Sequence, residues 1–213
     1  MKSNKIIFLI IASTLIFSAC SKKNEVSQTE ETIAPAAVED IVASDALPER
    51  VKVTFEVENY GQFVAETYPD YAPETVKQFL ALVENGYYNG FEIAKIDHSY
   101  AMITSETPRD FSEDSAADFN STVPGEFINN GRSNNLPLEK YTLALCHTPS
   151  NNDGGMAQFM IFLTDKHDSD GLYAGFAKVV EGTEVIDKMA GTLVDENDAP
   201  VSPIVMKKVS VND

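Results

Sequence analysis

The sequence predicts a mainly β fold, a closed antiparallel barrel of eight strands capped by two α-helices. Two observations lead to this class. Short segments with the alternation or the apolar content of strands recur along the chain, and segments with helical periodicity occur only twice, far apart in sequence. Many short strands with two widely separated helices favour a closed or nearly closed barrel whose ends the helices plug.

Eight segments have the strand signature, in which apolar and polar residues alternate or apolar residues dominate between turn residues. They are residues 51–57, 62–67, 92–96, 100–104, 141–145, 156–162, 173–180 and 204–211. The first of them, VKVTFEV, alternates throughout, and Asn59, Tyr60 and Gly61 supply the turn that leads into the second strand.

The first predicted helix begins at Pro73, because proline suits the first helical position, and it ends at residues 85–86, an Asn-Gly pair. Four apolar residues recur at the spacing of one helical face: Val76, Phe79, Leu80 and Val83. This pattern predicts an amphipathic helix of about three turns packed on the sheet.

The second predicted helix runs from about Glu184 to Ala190, with Thr183 as its N-cap and Gly191 at its end. Its inward-facing residues are Val185, Ile186 and Met189.

Residues 1–20, MKSNKIIFLIIASTLIFSAC, have the pattern of an export signal, since lysines precede an apolar run too short to span a bilayer as a helix. The segment ends in FSAC, which resembles a bacterial lipobox with Phe17 where leucine is usual. Cys20 is therefore expected to carry acyl chains such as palmitate and to become the new N-terminus. An uncleaved anchor, or an ordinary secretory signal with an incidental cysteine, is the alternative. Either reading places the rest of the chain outside the cytoplasm.

Residues 21–48 are rich in Ser, Glu, Ala and Pro and contain no aromatic residue, so they hold too little apolar surface to fold. We interpret them as a flexible acidic tether between the lipid and a single domain at residues 49–213. The expected location is the extracytoplasmic face of the cell membrane, or the outer membrane if the cell has two.

The formal net charge of −17 argues against binding of nucleic acid or anionic lipid headgroups through the protein surface. The expected membrane link is therefore covalent. If Cys20 is acylated, Cys146 is left as the second of two cysteines and no intramolecular disulfide forms. The sequence indicates no cofactor and no metal, and we expect a monomer.

The segment GMAQFMIF, residues 155–162, carries one amide in an apolar run. A strand sends successive side chains to opposite faces, so one face holds Ala157, Phe159 and Ile161, and the other holds Met156, Gln158, Met160 and Phe162. The first face is expected to be core and the second to line a groove, because a buried amide without partners is costly.

Five motifs in order resemble the cyclophilin-type peptidyl-prolyl isomerases over residues 51–211. They are APETVKQFLAL at 72–82, ENGYYNG at 84–90, GEFIN at 125–129, MAQFMIF at 156–162 and FAKVVEGTEVIDKM at 176–189. The resemblance implies rotation of X-Pro bonds, whose uncatalysed isomerisation takes tens to hundreds of seconds. It also implies that the partners are Pro-containing exported polypeptides.

By the same resemblance, Gln158 matches a groove glutamine, and Lys95 stands where the family has an arginine that donates near the prolyl nitrogen. These two are the expected catalytic residues. The expected substrate-binding positions are Tyr100, Ala101, Cys146, His147, Met160 and Tyr173.

Several of these positions depart from the family pattern. Lys95 replaces the arginine, Tyr173 a histidine, Met160 an aromatic residue and Asp168 a tryptophan, and the chain contains no tryptophan. A lysine is a flexible point charge without the planar fork of arginine. A loss of two or three orders of magnitude in rate, about 3 to 4 kcal/mol in barrier, follows if rigid positioning matters.

Two other groups of residues suggest different chemistry. Cys146 and His147 are adjacent, but neighbours on a strand point to opposite faces, so a catalytic dyad is disfavoured. An acidic segment at 165–170 suggests a metal loop, yet the calcium template requires an oxygen ligand at its first position and an acid at its twelfth. A solvated acidic loop is the favoured interpretation.

The leading hypothesis is therefore a lipid-anchored isomerase that assists folding of exported proteins. Two alternatives stay open. One is a module that binds Pro-containing segments without turning them over. The other is an interaction scaffold that uses the polar loops at 105–140 and 165–171.

Overall fold

The computed structural model describes residues 49–110 and 121–212, and the predicted signal, the lipidation site at Cys20 and the tether lie outside these residues. Within them, no helix is long and apolar enough to cross a membrane. The strands are β1 (Lys52–Val57), β2 (Gly61–Thr67), β3 (Ile93–Ile96), β4 (Ala101–Thr104), β5 (Thr142–Leu145), β6 (Phe159–Phe162), β7 (Ala174–Glu181) and β8 (Met206–Val211). The helices are α1 (Pro73–Glu84) and α2 (Thr183–Ala190), with short 3₁₀ turns at Ile128–Asn130 and His167–Ser169.

All eight strands belong to one antiparallel sheet in the order β3-β4-β6-β5-β7-β2-β1-β8. The mainly β fold with eight strands and two helices, predicted from the sequence, is confirmed. The sheet curls, and its two edges are β3 and β8.

The predicted closure of the barrel is wrong, because no strand ladder joins β3 to β8 within the described residues. The two edges meet where β3 and β8 begin, at an isolated bridge between Glu92 and Val205 and at hydrogen bonds such as those from the Ile93 nitrogen to the Ile204 carbonyl at 3.0 Å and from the Met206 nitrogen to the Phe91 carbonyl at 2.8 Å. At Ile96 the edge of β3 is occupied by Asp198, whose carbonyl accepts from the Ile96 nitrogen at 2.8 Å, so β8 does not continue along it. The sheet is therefore an open half-barrel.

Helix α1 begins at Pro73 as predicted and ends with Asn85 as its C-cap. Val76, Phe79 and Val83 are buried, whereas Leu80 is only partly buried and Leu82 takes its place in the core. Rings from α1, β1, β2, β6 and β7 form the centre of the core: Phe55, Phe63, Phe79, Phe159 and Phe176.

Helix α2 begins one residue earlier than predicted, so Thr183 is its first residue and not its N-cap. The cap is Gly182, at φ 76°, a left-handed conformation in which glycine is favoured. The backbone is close there, since a Cβ on Gly182 would lie 2.5 Å from the Gln62 carbonyl oxygen. Gly191 caps the C-terminus as predicted.

Candidate functional site

A second hydrophobic cluster, separate from the main core, lies on the other face of the sheet and is called the outer cluster here. Its buried members are Ala101, Leu138, Ala144, Met160 and Phe162, and the partly buried residues packed against it are Tyr100, Ile103, Cys146 and Tyr173. Residues predicted from the sequence as substrate-binding make up much of this cluster. The alternation of strand residues explains why the structure brings them together.

The register of three neighbouring strands places the candidate Lys95 in the same row as the outer cluster. Lys95 lies opposite Ile103, Ile103 opposite Met160, and Met160 opposite Ala144. Residues directly opposite each other in a sheet share a face. The Lys95 side chain therefore leaves the backbone on the outer face of the sheet, and β4 separates it from Met160 on β6.

Lys95 is paired with a residue that the sequence analysis did not identify. Its Nζ lies 3.4 Å from Oδ2 of Asp198, and both side chains are about half exposed. The Ile96 nitrogen also donates to the Asp198 carbonyl at 2.8 Å, so Asp198 lies along the edge of β3. Asp198 comes more than 100 residues later in the chain, and no spacing rule connects the two.

Gln158 lies immediately before β6, because that strand begins at Phe159 and not at residue 156 as predicted. The Gly155 backbone instead pairs with Val123 in an isolated bridge. The Gln158 Nε2 donates to the Thr104 carbonyl at 2.8 Å, which fixes the partly buried amide. The predicted division of faces is confirmed within β6, since Phe159 and Ile161 belong to the main core and Met160 and Phe162 to the outer cluster. Before the strand it does not hold, because Met156, Ala157 and Gln158 all line one cavity.

A cavity of about 290 Å³ adjoins Gln158. Its lining includes the predicted Cys146 and His147, Met156 from the predicted groove face, and two residues that the sequence analysis missed, Tyr87 and Glu106. These residues come from separate loops, so no local motif could have identified them. The wall mixes apolar side chains such as Met156 with polar ones such as Gln158, and it carries one carboxylate, that of the exposed Glu106.

The centre of the outer cluster is covered. Met160 is 3% exposed and Ala101 is fully buried, and the side chains of Tyr100 and Tyr173 pack against them. The Tyr100 ring lies edge-on to Phe162 at 5.4 Å. Burial, together with a hydrogen bond that the Tyr100 hydroxyl donates to Tyr173, raises the pKa of Tyr100 above its usual range. Tyr100 and Tyr173, two of the expected substrate-binding residues, therefore pack on the outer cluster together with Ile103 and Cys146.

Cys146 and His147 both line the cavity, which corrects the prediction that they point to opposite faces. That prediction assumed a strand through both residues, but β5 ends at Leu145. The His147 nitrogens face carbonyl oxygens, Nδ1 that of Thr148 at 3.1 Å and Nε2 that of Leu172 at 3.0 Å. Burial raises the pKa of the Cys146 thiol to about 12, so the thiolate that a nucleophile requires is scarce.

Acidic residues at 165–170 accept hydrogen bonds from the protein backbone and do not converge on a common point. Asp165 accepts from the Lys140 nitrogen at 2.9 Å and Asp170 from the Leu138 nitrogen at 2.8 Å. The side chain of Asp168 is 75% exposed and lies 3.7 Å from Lys166. Within the described residues, no group of three or more His, Cys, Asp or Glu side chains could hold a metal ion.

A curled antiparallel sheet with an apolar outer cluster, a fixed amide and an adjoining cavity defines a mainly β domain with a candidate binding site on one face of the sheet. A family model described as cyclophilin type peptidyl-prolyl cis-trans isomerase/CLD matches residues 52–211. The chain therefore belongs to the cyclophilin-type peptidyl-prolyl cis-trans isomerase family.

Two relatives indicate the range of the similarity. Peptidyl-prolyl cis-trans isomerase B of Escherichia coli is 30% identical over 173 residues, which cover 76% of this chain and 99% of the relative. Peptidyl-prolyl cis-trans isomerase-like 4 of Gibberella zeae is 29% identical over 167 residues, but the chain spans only 34% of that protein. The similarity to the longer relative is thus limited to one domain.

Among solved structures, a cyclophilin type peptidyl-prolyl cis-trans isomerase of Cryptosporidium parvum has a TM-score of 0.63 at 18% identity, covering 78% of this chain and 99% of its own. A crystal structure of that protein in the presence of the dipeptide Ala-Pro gives the same TM-score. At this identity the comparison shows the shared fold.

Proposed function

We propose that this domain is a slow peptidyl-prolyl cis-trans isomerase that acts on exported polypeptides near a membrane surface. The observation that carries the proposal is the fixed amide of Gln158 between the outer cluster and the cavity. One of its N–H groups is used by the Thr104 carbonyl at 2.8 Å. The second N–H and the Oε1 acceptor are suited to the backbone of a bound peptide.

The chemistry requires neither a covalent intermediate nor a metal. Rotation about a peptide bond is opposed by a barrier of roughly 18 to 20 kcal/mol, since the nitrogen lone pair is delocalised. A donor near the prolyl nitrogen favours the twisted, deconjugated state over both planar isomers and so lowers the barrier. In this chain the Lys95 ammonium is the candidate donor, and Gln158 holds the peptide in register.

Two features make the proposed enzyme slow. Lys95 is engaged by Asp198 at 3.4 Å. Its ammonium must leave that carboxylate, or be shared with it, to reach a substrate. Met160 is 3% exposed under Tyr100 and Tyr173, so the tyrosines must move before a proline ring can contact it.

A protease-coupled assay on a short Ala-Pro peptide tests the proposal. We expect a rate above background that falls at least tenfold in Gln158→Ala and rises in Lys95→Arg. Lys77→Arg, at an exposed position on α1, is the matched control and is expected to leave the rate unchanged. No rate above background in the wild type, with none restored by Lys95→Arg, contradicts the enzymatic proposal.

A second candidate function is binding of Pro-containing segments without turnover. It is favoured by the ion-paired Lys95 and by the covered Met160. Under this alternative, an Ala-Pro peptide shifts the NMR signals of Tyr100, Gln158 and Met160 without any acceleration of cis-trans exchange. Absence of both shifts and exchange points to the scaffold alternative.

The membrane location is part of the proposal and has its own test. If Cys20 carries the lipid, the wild type fractionates with membranes and Cys20→Ala does not. A Cys20→Ala protein that still fractionates with membranes contradicts lipidation at that residue.

A further inference from the structure

The hairpin at residues 192–201 carries the two most exposed of the large apolar side chains in the described part of the chain. Leu193 is 78% exposed and Val201 is 65% exposed. The Val201 nitrogen donates to the Leu193 carbonyl at 2.9 Å, so the two residues lie opposite each other and present one apolar face. Val194 packs against the main core instead, which fixes the direction of that face.

The hairpin is held in one shape by its own contacts. Val194 and Pro200 form a bridge, and Oδ1 of Asp195 accepts from the nitrogens of Asn197 at 2.8 Å and Ala199 at 3.0 Å. These donors lower the pKa of Asp195, so the carboxylate stays charged. A preformed surface loses little conformational freedom on binding.

The hairpin adjoins the candidate groove. Asp198, near its tip, forms the ion pair with Lys95 and accepts from the Ile96 nitrogen. A polypeptide that crosses the strands over Met160, Ile103 and Lys95 therefore reaches the hairpin at the edge of β3.

The charge of the hairpin selects among occupants. Asp195 and the exposed Glu196 carry negative charge at its tip, in a chain whose formal net charge is −17. A second copy of this acidic chain is repelled, whereas an unfolded segment with basic and aliphatic side chains complements both the charge and the apolar face.

We propose that the hairpin at 192–201 is a second contact surface for the client polypeptide, selecting unfolded segments with aliphatic and basic residues beside the proline. This inference rests on the proposed function for its substrate, since it extends the same groove. It gives a short Ala-Pro peptide and a long unfolded chain different affinities.

The test compares two fluorescent peptides by anisotropy. One is a short Ala-Pro peptide, and the other has about twenty residues with a central Ala-Pro bond and Leu-Lys flanks, long enough when extended to cross the hairpin. The double variant Leu193→Ser/Val201→Ser is expected to bind the long peptide about five- to tenfold more weakly, the order expected for two partly buried aliphatic side chains. Its affinity for the short peptide is expected to match the wild type.

Two further variants test whether the position of the apolar side chains and the charge of the hairpin each contribute to binding. Val180→Ser removes an exposed apolar side chain on β7, 41% exposed, and is the matched control that leaves both affinities unchanged. Glu196→Lys is expected to weaken binding of the Leu-Lys peptide and to strengthen binding of an otherwise identical peptide with Leu-Glu flanks.

The outcomes distinguish failure of the hairpin surface from failure of the proposed isomerase function. Equal affinity of wild type and double variant for the long peptide overturns the hairpin surface, whatever the catalytic rate. Sedimentation that shows a wild-type dimer abolished in the double variant also overturns it, because the occupant is then a second copy. Failure of the short peptide alone to bind counts against the groove and leaves the hairpin comparison intact.

Discussion

The carboxylate of Glu126 caps the N-terminus of α1 at Thr75, 51 residues earlier in the chain. Its Oε2 accepts from the Thr75 nitrogen at 2.8 Å and from Oγ1 of the same residue at 2.7 Å, while Oε1 accepts from the Glu74 nitrogen at 3.1 Å. Glu126 is 4% exposed and Thr75 is 1% exposed. The loop that follows the undescribed residues 111–120 is thus tied to the helix that covers the core.

Glu126→Ala is expected to lower the free energy of unfolding by about 2 to 3 kcal/mol, because it leaves buried donors of α1 unsatisfied. Glu126→Gln keeps an acceptor and is expected to cost about 1 kcal/mol, since the negative charge at the helix N-terminus is lost. Chemical denaturation measures both. Glu74→Gln, an exposed change in the same helical turn, is the control, and equal losses in Glu126→Ala and Glu74→Gln contradict the capping role.

Gly182→Ala is expected to destabilise the protein by more than about 2 kcal/mol. Its φ of 76° costs a residue with a Cβ roughly 1 to 2 kcal/mol. The added atom would also lie 2.5 Å from the Gln62 carbonyl oxygen and 2.8 Å from the Phe63 Cα. Thermal unfolding is the measurement. Gly131→Ala, at φ 75° with no atom within 4 Å of the added Cβ, isolates the conformational cost.

The Cys146 thiol makes stability depend on alkaline pH. Burial raises its pKa to about 12 from the 9.0 of an ordinary thiol, so the unfolded chain loses this proton at a lower pH than the folded protein does. Above pH 9 the folded state therefore binds more protons, and its stability falls as the pH rises towards 12. We expect a decrease of about 1 kcal/mol between pH 9 and pH 10.

The measurement is urea denaturation at several alkaline pH values, with Cys146→Ala as the comparison. The variant loses some packing at every pH but lacks the slope that the thiol contributes. Identical slopes in wild type and variant would show that another group titrates. Iodoacetamide should also modify Cys146 slowly in the folded protein and rapidly in urea.

Asp198→Asn is expected to raise the isomerase rate several-fold while changing stability by less than about 1 kcal/mol. The pair with Lys95 is half exposed, and such pairs contribute little to folding. Its removal frees the Lys95 ammonium for a substrate. The measurement is kcat/KM, and the control is Asp187→Asn. Asp187 lies on α2 and forms an ion pair with Lys140. A rate that falls in Asp198→Asn indicates that the carboxylate positions Lys95 instead.

Sequence reasoning reached the elements because their signals are local. Val53, Phe55 and Val57 alternate into the core, Pro73 starts α1, and the two faces of β6 follow from strand geometry alone. It failed at element ends, where a tertiary contact or a neighbouring glycine turn decides. β6 starts at Phe159, and Thr183 is helical because Gly182 supplies the turn.

The sequence by itself predicted the eight-stranded antiparallel sheet with two helices and the opposite faces of the strand that follows Gln158. Only the tertiary structure decided that the sheet is an open half-barrel, that Asp198 engages Lys95, that Glu126 caps α1, and that tyrosines cover Met160. The physical reason is range. Periodicity and turn preference act over a few residues, whereas these contacts join side chains from distant segments whose meeting depends on how the sheet curls.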